Sequence, residues 1–262
     1  MKKQTVLITG ASGGIGKEFA IIFAEHGFDL VLVARSEDKL NRLADGLREK
    51  CHVTVHTFSA DLSDPNGAEN VYSFVKKNGI QIDQLVNNAG AGKQGQVIEA
   101  DPETLRGLIN LNALSVTLLC RLIGADMVKA GRGKILNVSS LGAFIPDPYF
   151  NVYGPTKAFE LFLTQAMCGE LKGSGVSVSV LCPGPVKTNW AKNAGKADSK
   201  MSKDPALIAR IGFDGMQRGK LIIVPTFLYK AERFAMGLLP VTARISIIRT
   251  WQKKLICKSG QN

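Results

Sequence analysis

Short runs of β-branched and other apolar residues alternate along this chain with longer stretches in which apolar residues recur at helical spacing. Most of the short runs are continuously apolar, which is typical of strands covered on both faces of a sheet. They predict strands over residues 5–9, 29–33, 53–58, 84–87, 134–139, 176–181 and 221–224. The longer stretches predict helices over residues 16–26, 39–50, 68–78, 103–130 and 156–171. This alternation, with right-handed crossovers, predicts an α/β fold: a doubly wound parallel sheet of about seven strands with helices on both faces.

The last part of the chain departs from this pattern. Residues 1–224 contain no repeat, low-complexity segment or linker, and we predict that they form a single domain. Residues 225–262 are predicted to form a basic, amphipathic C-terminal extension. One helical stripe of the extension carries Val241, Ile245, Ile248, Trp251, Gln252 and Leu255. Three surfaces remain open for this stripe: the chain's own sheet, a sister subunit or a membrane.

Composition narrows the class of protein. Of the 262 residues, 45% are hydrophobic and 21% are charged, as in ordinary soluble domains. No apolar run reaches the ~18 residues needed to cross a bilayer, and the apolar start of the chain stops at Thr9-Gly10, too early for a secretory signal. The five cysteines and three histidines lack metal-ligand spacing. We therefore expect a cytoplasmic protein without a metal site.

The net charge of +11 is concentrated near the C-terminus, where residues 215–262 hold nine Lys or Arg and a single acid, Glu232. A nucleic-acid-binding protein would place such charge along a groove or in a recognition motif. We therefore expect no nucleic-acid partner. The basic tail remains suited to an anionic lipid surface or to an acidic acyl-carrier partner.

A glycine-rich turn, Thr9-Gly10-Ala11-Ser12-Gly13-Gly14-Ile15-Gly16, directly follows the first predicted strand. Glycines permit a sharp reversal, close approach of the backbone to a pyrophosphate and tight packing of the next helix. The helix N-terminus adds unpaired N–H groups and a partial positive charge. A purely structural turn is the alternative. The position after the first strand of a βαβ unit nevertheless favours a Rossmann-type dinucleotide site.

The end of the second predicted strand indicates which dinucleotide is preferred. NAD sites usually have an acid there, which binds the adenosine ribose hydroxyls. Here the chain has Arg35 and Ser36, with no carboxylate before Glu37. A guanidinium suits a 2′-phosphate because it binds phosphate through two hydrogen bonds. The residues therefore favour NADP(H) over NAD(H), with an ordinary surface arginine as the alternative.

A phenol and an ammonium lie one helical turn apart at Tyr153 and Lys157. This spacing alone is weak evidence, since it arises often by chance. It gains weight from the polar residues that end two predicted strands, Asn87-Asn88-Ala89-Gly90 and Asn137-Val138-Ser139-Ser140. Both ends lie at the carboxyl edge of the sheet, where ligands bind in such folds.

Together these motifs resemble the short-chain dehydrogenase/reductase family, from about Thr5 to Thr188 and in the family's order. The C-terminal extension resembles those of bacterial members with poorly assigned substrates. The resemblance implies four catalytic residues: Ser140, Tyr153, Lys157 and Asn112. It implies cofactor contacts from Gly10, Ser12, Gly14, Ile15, Gly16, Arg35, Ser36, Asp61, Leu62, Asn88, Ala89, Gly90, Tyr153, Lys157, Pro183, Gly184, Val186 and Thr188.

The chemistry implied by the resemblance is NADPH-dependent reduction of a ketone or aldehyde. Tyr153 would donate the proton, with its pKa lowered by the nearby Lys157 ammonium. Ser140 would hold the carbonyl oxygen, Lys157 the ribose hydroxyls and Thr188 the carboxamide. Asn112 would break its helix locally and anchor a water. A non-catalytic NADP(H) sensor on the same fold is the alternative function.

The resemblance places substrate recognition in residues 141–151 and after Thr188. An apolar slot suited to a hydrophobic carbonyl compound is expected from Phe144, Ile145, Pro146, Tyr149, Phe150 and Trp190, although some of these side chains could merely pack. Residues 190–204, with Lys192, Lys196, Lys200 and Lys203, are expected to form a lid. A homodimer or homotetramer through the helices of residues 103–130 and 156–171 is also implied.

Overall fold

A computed structural model describes residues 3–196 and 201–259, with the side chains of 232, 233 and 254–259 left out. The strands are β1 Thr5–Thr9, β2 Asp29–Ala34, β3 Val55–Ser59, β4 Gln84–Asn87, β5 Gly133–Val138, β6 Val176–Leu181 and β7 Ile222–Ile223. The helices are α1 Gly14–Glu25, α2 Glu37–Cys51, α3 Gly67–Lys77, α4 Pro102–Ile109, α5 Ser115–Lys129, α6 Tyr153–Glu170, α7 Trp190–Asn193, α8 Pro205–Gln217, α9 Phe227–Gly237 and α10 Val241–Ser259.

The strands form one parallel sheet in the order β3-β2-β1-β4-β5-β6-β7. The chain winds outward from β1 to β3, crosses back to β4 and winds outward again to β7. The direction of winding therefore changes between β1 and β4, and ligands of such sheets bind at this switch point, beyond the carboxyl ends of the strands. The parallel seven-stranded sheet, with helices on both faces, confirms the predicted fold class.

Both faces of the sheet are covered by apolar side chains. One face packs under α1 and α8 through an aromatic cluster of Phe19, Phe23 and Phe213. The opposite face packs under α3 and α5, where Val71 and Leu119 are almost fully buried. Covering on two faces is why the interior residues of β1 and β2 are continuously apolar in sequence rather than alternating.

The helix predicted over residues 103–130 is interrupted. A π-helical turn, Asn110–Leu114, separates α4 from α5. By length and composition Pro102–Lys129 is apolar enough to span a membrane, but half of its apolar window is buried within the protein. The burial of Leu119 and Ile123 against the sheet explains this apolar composition as that of a core helix.

Helix α8 was absent from the predicted elements, although it carries a clear start signal. Asp204 accepts a hydrogen bond from the backbone N–H of Ala206 at 2.9 Å, and Pro205 occupies the first helical position. An aspartate cap followed by proline is a typical helix N-terminus. The helix packs its buried residues against α1, which completes one face of the sheet.

The C-terminal extension contacts the rest of the chain at defined points. Tyr229 of α9 is fully buried in a cluster with Leu161 and Val180. Gln252 of α10 is also buried and donates a hydrogen bond to Asp147. The predicted division between residues 224 and 225 therefore falls inside a packed region. Leu255, the last member of the predicted stripe, has its side chain outside the described part of the structure.

Candidate active site

The glycine-rich turn joins β1 to α1 at the switch point. Gly10 and Gly14 have φ angles of +67° and +54°, a conformation that favours glycine. A Cβ at Gly16 would overlap the carbonyl oxygen of Gly10, so the turn is tight because that side chain is missing. Gly13, at the N-cap of α1, provides no side-chain cap, and N–H groups of the first turn of α1 are left for a ligand. Ser12 and Ile15 lie within the same turn.

Hydrogen bonds link the end of β4 to the end of β1. The Thr9 hydroxyl accepts hydrogen bonds from the backbone N–H groups of Asn88 and Ala89 at 2.9 and 3.0 Å. The Asn88 amide donates to the Thr9 carbonyl at 3.0 Å. These bonds hold Asn88, Ala89 and Gly90 beside the glycine-rich turn, where the sequence predicted cofactor contacts.

Arg35 follows β2, with an exposed side chain. Ser36 is the N-cap of α2, and its hydroxyl makes no capping hydrogen bond. Asp61 accepts hydrogen bonds from the N–H and hydroxyl of Ser63 at 2.9 and 2.7 Å. Burial raises the pKa of Asp61, but these bonds and the positive charge of Arg35 outweigh it, so the pKa lies below its usual value. The neighbouring Leu62 is buried.

Ser140 and Tyr153 meet at the carboxyl edge of β5. Ser140 follows β5 and accepts a hydrogen bond from the Gly142 N–H at 3.1 Å. Tyr153 is the first residue of α6. A Cβ at Gly142 would lie 3.5 Å from Oγ of Ser140 and 3.8 Å from Cε1 of Tyr153, so the two side chains are neighbours. Pro155 lies in the first turn of α6, where its missing N–H leaves no helical bond unmade. A carbonyl oxygen could accept hydrogen bonds from both hydroxyls at this place.

Lys157 projects toward the end of β4. Its Nζ donates to the Val138 carbonyl at 2.9 Å and to Oε1 of Glu160 at 2.7 Å. A Cβ at Gly90 would lie 3.1 Å from this Nζ and 3.4 Å from Oδ1 of Asn112. Lys157, Asn112 and Gly90 are therefore neighbours, as the family resemblance implied.

The side chain of Asn112 is fully used within the protein. It donates to the Ala91 carbonyl at 2.8 Å and to the Thr156 hydroxyl at 3.0 Å, and it accepts from the Ala91 N–H at 3.0 Å. Asn112 thus ties the loop after β4 to α6. Because it lies in the π turn, the helical hydrogen-bond ladder is interrupted at this residue. The nearby Asn110 bonds instead to the Ser63 carbonyl at 3.0 Å.

The expected direction of the Tyr153 pKa is wrong for this structure. Burial raises the pKa of Tyr153, and the negative charges of Glu160 and Asp147 raise it further, whereas the Ser140 hydrogen bond lowers it. The Lys157 ammonium, which the motif presents as an isolated charge, is paired with the Glu160 carboxylate at 2.7 Å.

An aromatic wall covers Tyr153. The rings of Phe150 and Trp190 both lie 4.9 Å from the Tyr153 ring, and Trp190 donates its indole N–H to the Gly90 carbonyl at 3.1 Å. Phe150 is fully buried, so it packs rather than lining the entrance of the expected slot. Of the expected lid lysines, Lys196 has its Nζ 3.7 Å from the Phe150 ring centroid. Lys200 lies outside the described residues.

The segment Pro183, Gly184, Val186 and Thr188 follows β6. Thr188 lies beside the glycine-rich turn, since its Cγ2 is 3.0 Å from the position of a Cβ at Gly14. A Cβ at Gly184 would lie 2.5 Å from Cζ of Tyr229, whose hydroxyl donates to the Pro185 carbonyl at 3.0 Å. Sequence reasoning missed Tyr229, which comes from the extension, because no local motif marks it.

These residues fit a nicotinamide dinucleotide. The turn has the glycine conformations and uncapped N–H groups that a pyrophosphate requires, and it adjoins Thr188. Lys157 has three donors, of which Val138 and Glu160 take two, so one remains for a ribose hydroxyl. Fold and site together define a dinucleotide-dependent oxidoreductase.

Comparison with known proteins identifies the family. A family model described as short chain dehydrogenase matches residues 4–199. The very-long-chain 3-oxoacyl-CoA reductase of Mus musculus is 34% identical over 221 residues, which cover 82% of this chain and 69% of that protein. The chain therefore belongs to the short-chain dehydrogenase/reductase family, as its motifs predicted.

Solved structures agree with this assignment. A short-chain dehydrogenase from Sphingobium yanoikuyae in complex with NADPH has a TM-score of 0.81 and 33% identity, covering 90% of this chain and 96% of that one. A short-chain dehydrogenase/reductase from Burkholderia phymatum in complex with NAD has a TM-score of 0.79 and 23% identity, covering 88% and 92%, and is similar in fold.

Proposed function

We propose that this protein is an NADPH-dependent reductase of a hydrophobic ketone or aldehyde. The observation that carries the proposal is that the Ser140 hydroxyl and the Tyr153 ring meet beside Gly142, while Lys157 lies beside Gly90 after β4. A proton donor and a second hydroxyl for the carbonyl oxygen are thus present beside a dinucleotide cradle.

Each residue of the site has a separate role in the proposed reduction. When bound, the reduced nicotinamide supplies the hydride that forms the new C–H bond. Tyr153 donates its phenolic proton to the carbonyl oxygen, and Ser140 holds that oxygen while negative charge develops on it. Lys157 binds the ribose and Thr188 the carboxamide. The products are the alcohol and the oxidised dinucleotide.

The preference for NADPH is supported by Arg35 and Ser36. Both side chains are free to bind a 2′-phosphate, and an exposed guanidinium at this position is not neutralised by an ion pair with the described residues. The structure of the relative from Sphingobium yanoikuyae in complex with NADPH supports the same preference.

The cofactor proposal is tested by fluorescence titration with NADPH and NADH. Arg35→Ala should weaken NADPH binding about tenfold or more and leave NADH binding unchanged, because a charged hydrogen bond contributes about 1.5–3 kcal/mol. Arg42→Ala, an exposed arginine of α2, is the matched control. Stronger binding of NADH by the wild type would contradict the preference. Tight binding without turnover of any ketone would favour the non-catalytic sensor.

A long-chain 3-oxoacyl thioester is the substrate class we propose to try first. The name of the mouse relative supports it, and so does the half-buried Trp190 beside Tyr153. Lys192 of α7 is exposed and suits a phosphate-bearing or acidic carrier. Equal kcat/KM for free and CoA-linked 3-oxo compounds would count against carrier recognition.

We also propose a homodimer or homotetramer through the outer faces of α4, α5 and α6. Ile109, Phe159 and Phe162 are 45%, 43% and 67% exposed there, which is unusual for large apolar side chains of an isolated subunit. Light scattering should show an assembly in the wild type and a smaller species for Phe162→Ser. A monomeric wild type would remove this proposal.

Finally, we propose that this cytoplasmic enzyme contacts an anionic membrane surface through α9 and α10. Phe227, Phe234 and Leu238 are 85%, 70% and 71% exposed, in the part of the chain where basic residues are concentrated. Phe234→Ser should reduce co-sedimentation with phosphatidylserine vesicles, whereas Ile98→Ser, at an equally exposed site far along the chain, should not. Recovery of the wild type in the supernatant would refute lipid contact.

A further inference from the structure

Glu160 is a buried acid that the proposed chemistry leaves without a role. It lies on α6, three residues after Lys157, and only 1% of its surface is exposed. Its Oε1 accepts the 2.7 Å hydrogen bond from the Lys157 ammonium. A carboxylate taken out of water is costly unless it is paired, so Glu160 depends on Lys157 as its counter-ion.

The surroundings of this pair contain few other charges. Glu160 raises the pKa of the Cys120 thiol of α5, whose burial already raises it, and both residues are therefore close and unsolvated. Around the phenol, Asp147 precedes α6 and Cys182 follows β6. Lys196, from the segment after α7, is paired with Asp147 at 3.9 Å. Lys157 is thus the cation that Glu160 contacts among the described residues.

The second oxygen of Glu160 has no hydrogen-bond partner among the described residues. Burial raises the pKa of Glu160 to about 7, although the Lys157 ammonium lowers it. A neutral amide of the same shape could accept the same hydrogen bond, but it would leave the buried Lys157 ammonium without a counter-ion. The negative charge of Glu160 therefore acts on Lys157 as well as on its surroundings.

The charge does have an effect on Tyr153. An unpaired ammonium beside a phenol stabilises the phenolate, whereas a lysine–carboxylate pair carries no net charge and does so far less. Reduction needs the phenol protonated before the reaction, because the proton moves to the carbonyl oxygen. Oxidation of an alcohol needs the phenolate, because it accepts the hydroxyl proton.

We propose that Glu160 is a positioning residue that holds Lys157 and neutralises its charge, so that Tyr153 stays a proton donor to higher pH. The inference rests on the proposed function for its catalytic consequence. Its effect on Tyr153 is a property of the protein alone and can be measured without turnover.

The kinetic experiment compares pH profiles of kcat/KM for reduction and oxidation in the wild type and Glu160→Gln. Removing the negative charge should move the alkaline limb of reduction and the rising limb of oxidation to lower pH, both by about one unit. Thr164→Val is the matched control, because Thr164 is buried in the same helix and uncharged. It should leave both limbs in place.

The direct experiment follows the four tyrosines by NMR of 13Cζ-labelled protein, with Tyr153 assigned by Tyr153→Phe. Tyr153 should ionise at lower pH in Glu160→Gln than in the wild type. Ionisation at the same or a higher pH overturns the proposal. If Glu160→Gln does not fold, Glu160→Met, which also removes the charge, replaces it, and unchanged ionisation of Tyr153 there is the contrary result. Absence of turnover would reject the proposed function but leave this titration decisive for Glu160.

Discussion

Replacing Tyr229 tests whether the C-terminal extension supports the loop after β6. The side chain is fully buried, and its hydroxyl donates to the carbonyls of Pro185 and Met201 at 3.0 and 3.4 Å. Tyr229→Ala removes a buried ring that packs against Gly184, and the cost should be about 3–5 kcal/mol of unfolding free energy. Tyr229→Phe keeps the ring and loses the hydrogen bonds, which should cost about 0.5–1.5 kcal/mol.

Urea denaturation monitored by circular dichroism measures these free energies, and titration with NADPH reports on the loop. The alanine variant should bind NADPH more weakly than the phenylalanine variant, because the loop includes the predicted contacts Gly184 and Thr188. Phe227→Ala, two residues earlier and 85% exposed, should change stability by less than about 0.5 kcal/mol. A Tyr229→Ala variant as stable as this control would refute the reasoning.

Two further perturbations test the cofactor turn and a buried thiol. Gly16→Ala places a Cβ against the carbonyl of Gly10, which should lower the free energy of unfolding by about 1–3 kcal/mol and weaken dinucleotide binding. The control is Gly46→Ala in α2, where a Cβ meets open space, and it should raise the free energy of unfolding by about 0.5–1 kcal/mol. Thermal unfolding compares the two variants. Similar melting temperatures would contradict the overlap. Burial raises the pKa of Cys120 to about 12, so at pH 8 its thiol stays protonated and unreactive. Peptide mapping after brief maleimide treatment should find exposed Cys168 modified and Cys120 intact, and rapid modification of Cys120 would show that its burial is wrong.

The fold was predictable because its main signal is local. Continuous apolar runs at β1 and β2 identify strands buried on two faces, and glycines mark the turn that must approach a ligand. The edge strand β3 is half-exposed, and its predicted start at residue 53 was two residues early because Val53 is buried outside the strand. Such boundary errors arise when a buried apolar residue next to a strand is assigned to the strand itself.

The residues that sequence reasoning missed depend on long-range packing. A glutamate three residues after a lysine on a helix is ordinarily a solvated surface pair, and nothing near Glu160 in the sequence reveals its burial. Tyr229 contacts the loop after β6 because α9, which follows the last strand, packs back against α6 and β6. The sign of the Tyr153 pKa was wrong for the same reason, since it depends on a carboxylate whose burial is set by tertiary structure.

The contact between Tyr229 and the loop after β6 also implies an order in which parts of the protein fold during synthesis. A chain is made from its amino end, and domains begin to fold in that order. All seven strands precede Tyr229 in the sequence, so the sheet can assemble while the loop after β6 still lacks the ring that fills the space beside Gly184. A growing chain therefore acquires its hydrophobic core before it acquires a fully supported dinucleotide site, and full affinity for the cofactor comes only when α9 has been made and has docked.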